Sequence, residues 1–450
     1  MLIAEEVVMG FWPVHAGIIA AVMLTGASGA VADEPASGSG AASQGRLDVS
    51  GSLRLRHETL SAPFRAGRTG SDQLASWSLR VLAEYDAGPV VLGAELLDAR
   101  GVLNDSGSVL TPNLINTLEP YQLYARVRTG PQSSLQLGRF NMAIGSSRLI
   151  AHNHTINSPF NFDGARLRQS LSERWALDAF YVAPVRIEPR DRASLLDNES
   201  RIDAGDWNMQ LAGLHLTRTG LAGRWRGEAY AIGLDEEGGP SLISWGARLM
   251  RQPAPGELDA DLEAILQTGR QPAPGGERDI RAALIHLGLG YTFEDAWRTR
   301  LSAHLVHAGG DSGAGNDPFH RFNPVFGGRS MDFGPAALFG PLARENLNSA
   351  SLRYQARPGP VELQARVQEA WLATARDRWR IAGLRDASGQ SGRRIGTVVD
   401  ASIGYDLAQS QVRIEAGLGV LFKGRFARTA PGALDSRDTV YSFVALTRRF

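Results

Sequence analysis

With 450 residues, 43% of them apolar, the chain is long enough for two or three soluble domains or for one large barrel. Its 47 basic residues balance 47 acidic ones, which excludes a chain built mainly to hold nucleic acid. Cysteine is absent, so disulfides, thiolate nucleophiles and cysteine-held metals are excluded as well.

Residues 1–32 read as an export signal. The apolar stretch 16–24 is too short to span a bilayer, and Ala30-Val31-Ala32 supplies a small-x-small cleavage pattern. Glu5 and Glu6 stand where such a signal ordinarily carries Lys or Arg, and a start at Met9 would remove both. Residues 33–46, rich in Ser, Gly and Ala, read as a flexible periplasmic tether.

From residue 47 onward apolar and polar side chains alternate with period two. Leu47, Val49, Leu53 and Leu55 oppose Asp48, Ser50, Ser52, Arg54, Arg56 and Glu58. Trp77, Leu79, Val81, Ala83 and Tyr85 oppose Ser76, Ser78, Arg80 and Glu84. Sustained alternation places the two faces of a strand in different solvents. The pattern predicts strands at 47–60, 74–86, 90–100, 118–128, 134–140, 161–169, 175–183, 208–217, 224–234, 242–251, 257–268, 279–293, 297–308, 346–356, 361–372, 394–406, 411–423 and 439–450. Alternation is short or blurred at 134–140, 161–169 and 208–217, so sixteen strands is the alternative to eighteen.

The connectors alternate too. Long links at 61–73, 101–117 and 140–161 take turns with tight ones at 86–89 and 129–133. This is the rhythm of an all-β, transmembrane, antiparallel up-and-down β-barrel of about 18 strands over residues 47–450, with long extracellular loops and short periplasmic turns. An arginine facing lipid at mid-membrane costs about 2–4 kcal/mol, so the arginine-bearing face must line the lumen. Trp77, Trp225, Trp245, Trp297 and Tyr354 share the apolar face and fit the aromatic girdles of an outer-membrane protein; in a soluble sandwich they would be core residues. Phe450 ends a last alternating strand, a signal that barrel-assembly machinery reads, although Arg448 interrupts its apolar face.

Several segments resemble a known family in order and spacing. They are Ala94-Glu95-Leu96-Leu97-Asp98-Ala99-Arg100, Glu119-Pro120-Tyr121-Gln122-Leu123-Tyr124-Ala125, Leu135-Gln136-Leu137-Gly138-Arg139-Phe140, Ser147-Arg148-Leu149-Ile150 and Phe160-Asn161-Phe162-Asp163-Gly164-Ala165-Arg166-Leu167, followed by Ala308-Gly309-Gly310-Asp311 and the run from Asn316 to Gly327. The set is similar to the alginate-export family of outer-membrane β-barrels. That resemblance implies an eighteen-stranded barrel whose arginine-lined lumen passes an anionic polyuronate outward. Phe140 stands where the family often carries Gln.

The alternation itself points Arg54, Arg56, Arg80, Arg126, Arg128, Arg166 and Arg168 inward, with Glu58, Glu84 and Glu95 on the same face. Guanidinium groups pair bidentately with carboxylates, so such a wall favours anions in transit. Arg54, Arg80, Arg126, Arg139 and Arg166 are the selectivity candidates, with Glu95 and Asp163 holding their guanidiniums in place. Simple alternation sets Arg139 beside Leu135 and Leu137 instead. The competing reading makes the same residues a structural ladder between strands. Further along, Asp259, Asp261 and Glu263 form an acidic run, which is either one wall of a transverse field or a set of inter-strand bridges.

The loop 309–345 is too long for a plain surface link and is expected to be a gate or constriction; a disordered exterior loop is the alternative. Its acids could hold Ca²⁺, but no spacing specifies a site, and no cofactor or metal is expected. His152-Asn153-His154 and the pair His304 and His307 lack a third ligand at metal spacing. No Gly-x-Ser-x-Gly elbow is present and no catalytic residues are expected. The expected function is a passive outer-membrane channel for an anionic or polar solute, with a polyuronate as one candidate. A diffusion porin for small organic solutes and a secreted β-rich surface protein are the alternatives. Expected partners are outer-membrane lipid and lipopolysaccharide, barrel-assembly machinery, the solute itself and periplasmic export proteins.

Overall fold

The computed structural model describes residues 45–105, 108–152, 155–313, 317–335, 337–407 and 409–450. The segment read as an export signal (1–32), nearly all of that read as a tether (33–46), and Asn153 and His154 lie outside the described residues.

Eighteen antiparallel strands form the wall: β1 (Arg46–Ser61), β2 (Ser71–Asp86), β3 (Val90–Val102), β4 (Asn116–Gly130), β5 (Ser133–Phe140), β6 (Phe162–Ser170), β7 (Trp175–Arg186), β8 (Met209–Leu221), β9 (Trp225–Glu236), β10 (Ser241–Arg251), β11 (Glu257–Ala273), β12 (Gly276–Thr292), β13 (Arg300–Ala308), β14 (Leu347–Ala356), β15 (Val361–Trp371), β16 (Arg394–Leu407), β17 (Val412–Lys423) and β18 (Thr439–Arg449). Each strand pairs with the next in sequence. β1 also pairs with β18, with Ser52 opposite Arg449 and Leu60 opposite Tyr441, so the sheet closes and leaves no edge. Reciprocal backbone bonds between Gly51 and Phe450, 2.8 and 3.1 Å, finish the seam.

The cylinder is inside-out relative to a soluble protein. Leu123 (66% exposed), Leu258 (64%) and Leu352 (67%) face outward, while Glu58, Glu263, Gln267 and Gln368 are buried. Trp245 and Trp297 are exposed on the same apolar exterior. The greasy side is therefore the side that meets lipid, and the wettable side is enclosed.

The three segments with blurred alternation are genuine strands, β5, β6 and β8. The reason for the blur in β5 and β6 is Gly138 and Gly164, which oppose each other at φ +116° and +154°. A Cβ at Gly138 would come 2.4 Å from the Leu123 carbonyl, and one at Gly164 2.3 Å from that of Tyr181, so a side chain is excluded at both positions. The long connections lie at one end of the barrel and the tight turns at the other. Two connections at the long-loop end break the rhythm, the hairpins at 237–240 and 274–275. There β11 and β12 continue as 17-residue strands, and the upper part of β12 is covered by the loop that follows β13, through a bridge from Ile280 to Phe319.

Candidate functional site

Two loops from the long-loop end turn into the barrel and pack on each other. After Phe140 the chain leaves the wall, with the Asn141 backbone N–H donating to Gln122 Oε1 at 2.8 Å, and Met142, Ile144 and Ile150 become buried. The loop 309–346 enters from the opposite side, burying Phe322, Phe333 and Phe339. The two meet at a parallel bridge: the Phe326 N–H donates to the Leu149 carbonyl at 2.8 Å, and the Ala151 N–H to the Phe326 carbonyl at 3.2 Å. The Phe326 ring packs edge-on against Phe160 and Phe162 at 5.1 and 5.5 Å. At Gly327 the chains approach so closely that a Cβ would meet the Arg148 carbonyl.

Charge fixes this junction. Arg148 on the first loop donates to Glu263 Oε2 at 2.5 Å, Asp261 Oδ2 at 2.9 Å and Asp332 Oδ2 at 3.1 Å. Asp332 on the second loop also accepts from Arg344 at 2.5 and 2.8 Å. Burial pushes the Arg148 guanidinium down, but Asp332, Glu263 and Asp261 outweigh it and hold it well above its ordinary range. Burial likewise opposes the Asp332 carboxylate, yet Arg148 and Arg344 hold it well below the usual range. Both groups therefore stay ionised, and both wall acids are bound to a loop as well as to the wall: Asp261 pairs with Arg248 at 2.6 Å, and Glu263 accepts from Tyr230 at 2.6 Å. Of the two sequence readings for the acidic run, this is the bridged one.

Toward the tight-turn end lies a half-enclosed cavity of about 410 Å³, bordered by Arg56, Arg353 and Arg366 and by Asp400 and Glu415. Arg56 is paired in turn with the buried Glu58 at 3.2 Å. Arg366 grips Asp400 at 2.9 and 3.0 Å. Arg353 is held by backbone carbonyls, those of Met331 and Asp332, both at 2.9 Å. A carbonyl positions a cation without cancelling its charge.

The residues singled out from the sequence fall into two groups. Arg54, Arg80, Glu95, Arg126 and Arg166 lie on the enclosed face, each held by a neighbour. Arg54 donates to Asn157 at 2.8 Å and Arg126 to Glu84 at 2.8 Å. Arg80 donates to Glu95 at 2.7 Å, stacks over Tyr121 at 5.0 Å and lies 3.5 Å from His152 Nε2. Arg166 clasps Asp178 at 2.5 and 2.9 Å. Arg139 and Asp163 are placed differently. The register sets Arg139 opposite Leu123 on one side and Asp163 on the other, in the outward row. Arg139 there binds Asp163 at 2.8 and 3.1 Å, Glu119 at 3.0 Å and the Asp203 carbonyl at 3.1 Å, beneath the loop 187–208. It is a clamp where the wall parts above β5, as the simple alternation indicated.

Missing from the sequence selection were Arg148, Asp332 and Arg344, together with Arg353 and Arg366. The last two were legible, since Leu352 and Val367 beside them are outward-facing apolar residues.

In the clamp under the loop 187–208, burial pushes the Asp203 carboxyl up to about 7, with the nearby Glu119 adding to the rise. A carboxyl with a raised native value favours the docked loop when protonated. That contribution is complete below the unfolded value near 3.8 and disappears as pH climbs through about 7. Backbone amides of residues 187–208 are therefore expected to exchange several-fold faster at pH 8 than at pH 5 after correction for intrinsic rates. Hydrogen-exchange mass spectrometry checks this, and equal corrected rates would remove the assignment.

The comparisons with known proteins agree with this geometry. A family model described as Alginate export matches residues 45–440. No curated protein matches the sequence significantly. Among solved structures, Pseudomonas aeruginosa OccK11 (OpdR) is 17% identical, with 89% of this chain and 96% of that chain covered and a TM-score of 0.56. P. aeruginosa OpdK, in a structure with vanillate, is 14% identical over 90% and 98% of the two chains, TM-score 0.59. P. aeruginosa OccK9 (OpdG) is 13% identical over the same shares, TM-score 0.59. At such identities these structures share the fold, a closed eighteen-stranded porin barrel. With the family model spanning nearly the whole described chain and the apolar exterior enclosing a charged bore, the protein belongs to the Alginate export family and is an outer-membrane β-barrel channel.

Proposed function

We propose that this channel passively conducts small anionic or polar solutes, and that the arginines of the enclosed face set its preference for anions. The observation that carries the reading is Arg353, a cation on the bore side held by two backbone carbonyls at the edge of the cavity toward the tight-turn end. A hydrated carboxylate passing below the junction of the two loops meets N–H donors already oriented for it. Most other enclosed arginines, including Arg80, Arg126 and Arg166, are bound to acids and shape the bore while contributing less net field.

The two inward loops favour a small cargo over a polymer, because they are locked together by buried ion pairs across the bore. The family match supports the other reading, a polyuronate threaded outward, which requires those loops to separate.

Reversal potentials across a planar bilayer under a KCl gradient test the proposal. Anion preference is expected for the native chain, and Arg353→Glu is expected to shift it toward cations while the folded barrel still shows heat-modifiable gel mobility. Cation preference in the native chain would overturn the reading.

A further inference from the structure

Above the loop junction, at the extracellular mouth, a second cavity of about 470 Å³ lies between the 237–240 and 274–275 hairpins, residues 319–323 and residues 378–380. Four arginines border it, and they are not equivalent. Arg278 is saturated: it donates to both Asp311 oxygens at 3.0 and 3.1 Å and to the carbonyls of Asp317 and Pro318. Arg321 is matched by Asp377, to which its Nε donates at 2.9 and 3.1 Å, and lies farther, 3.9 Å, from Glu345. Arg378 and Arg380, by contrast, share one carboxylate. Glu345 accepts from Arg378 Nε at 2.7 Å through one oxygen and from Arg380 Nη1 at 3.0 Å through the other.

The exposures give the direction of this arrangement. The Glu345 side chain is 3% exposed, whereas those of Arg378 and Arg380 are 48% and 44% exposed. A buried anion thus holds two cations side by side with their heads in water. Each guanidinium has five N–H donors, and Glu345 engages one from each, so both keep donors for a ligand. One positive charge is left over at the pair. The rest of the cavity narrows the ligand class. Phe319, gripped between Arg278 and Arg321 with ring distances of 5.5 and 5.1 Å, and the buried Phe322 form an apolar floor. Glu236 also borders the cavity, and its carboxylate is suited to accept hydrogen bonds from hydroxyls and to repel a second negative charge.

We propose that this cavity is an anion-capture site for a solute carrying one carboxylate and neighbouring hydroxyl groups, with Arg378 and Arg380 taking the carboxylate and Glu236 the hydroxyls. It rests on the channel reading above and adds a docking step before the bore.

Gluconate is the probe, and sorbitol is its uncharged counterpart. Applied from the long-loop side of a bilayer containing the full chain, gluconate is expected to interrupt the current and sorbitol is not. Arg378→Gln with Arg380→Gln is expected to lower the blocking frequency about five- to tenfold, since the local field that raises encounter is removed. Arg378→Lys with Arg380→Lys, which keeps charge but loses the fork, is expected to fall between the two. Should the double Gln variant fail to show heat-modifiable mobility, either single substitution decides, each with an expected drop of about two- to threefold. Arg393→Gln is the control, as that guanidinium reaches the Ala373 carbonyl outside the cavity. Unchanged frequency in the Gln variants, or equal gluconate block from the opposite side, overturns the site. Cation selectivity of the native channel would instead overturn the channel reading, so the two failures are distinguishable.

Discussion

Asp332→Ala is expected to raise single-channel conductance about twofold or more, because two buried guanidiniums lose the anion that ties the inward loops together. Asp332 is 2% exposed and binds Arg148 from one loop and Arg344 from its own. Removing one member of a buried ion pair costs about 3–5 kcal/mol, since the partner charge is left without compensation. Here the cost falls on the loop junction and not on the wall, whose backbone ladder is unchanged. The loops should therefore part while the barrel stays assembled. Bilayer recordings and gel mobility read the two effects separately. Native conductance in an assembled Asp332→Ala channel would show that the charged junction does not set the bore.

The second large effect concerns the exterior. Leu352 is 67% exposed at the middle of β14, between Ala303 and Val367 on the flanking strands. Leu352→Arg places a guanidinium against lipid at a cost of about 2–4 kcal/mol, and a marked loss of assembled protein is expected. Leu352→Ala removes apolar surface without adding charge and is expected to assemble nearly normally. Outer-membrane yield and heat-modifiable mobility check both. Equal tolerance of the two would mean that this face does not meet the hydrocarbon.

Strand positions were legible in the sequence because one physical rule, two solvents on two sides of a strand, is written at every second residue. Leu47, Val49 and Leu53 show it as plainly as the structure does. The rule also sided Arg139 with Leu135 and Leu137, and naming it a selectivity residue went against that rule. The junction was not legible. Arg148 and Glu263 are 115 residues apart and Arg148 and Asp332 are 184 apart, joined by loops that carry no period. Only the unusual length of the 309–346 connection and the Ser147-Arg148-Leu149-Ile150 motif hinted at it. Glycines also hide register: at Gly138 and Gly164 no side chain records which side the pleat faces.

The seam between the first and last strands has a kinetic meaning. Thr59 and Ser442 touch across 383 residues of chain, so this contact carries a far larger entropic penalty for ring closure than any hairpin in the wall. Zipping of neighbouring hairpins can proceed pair by pair, but the curved sheet keeps two unsatisfied margins until that final stitch. During that interval the growing sheet is open to mispairing with another copy, and the terminal residues of β18 guard against it by being the ones that complete the circle.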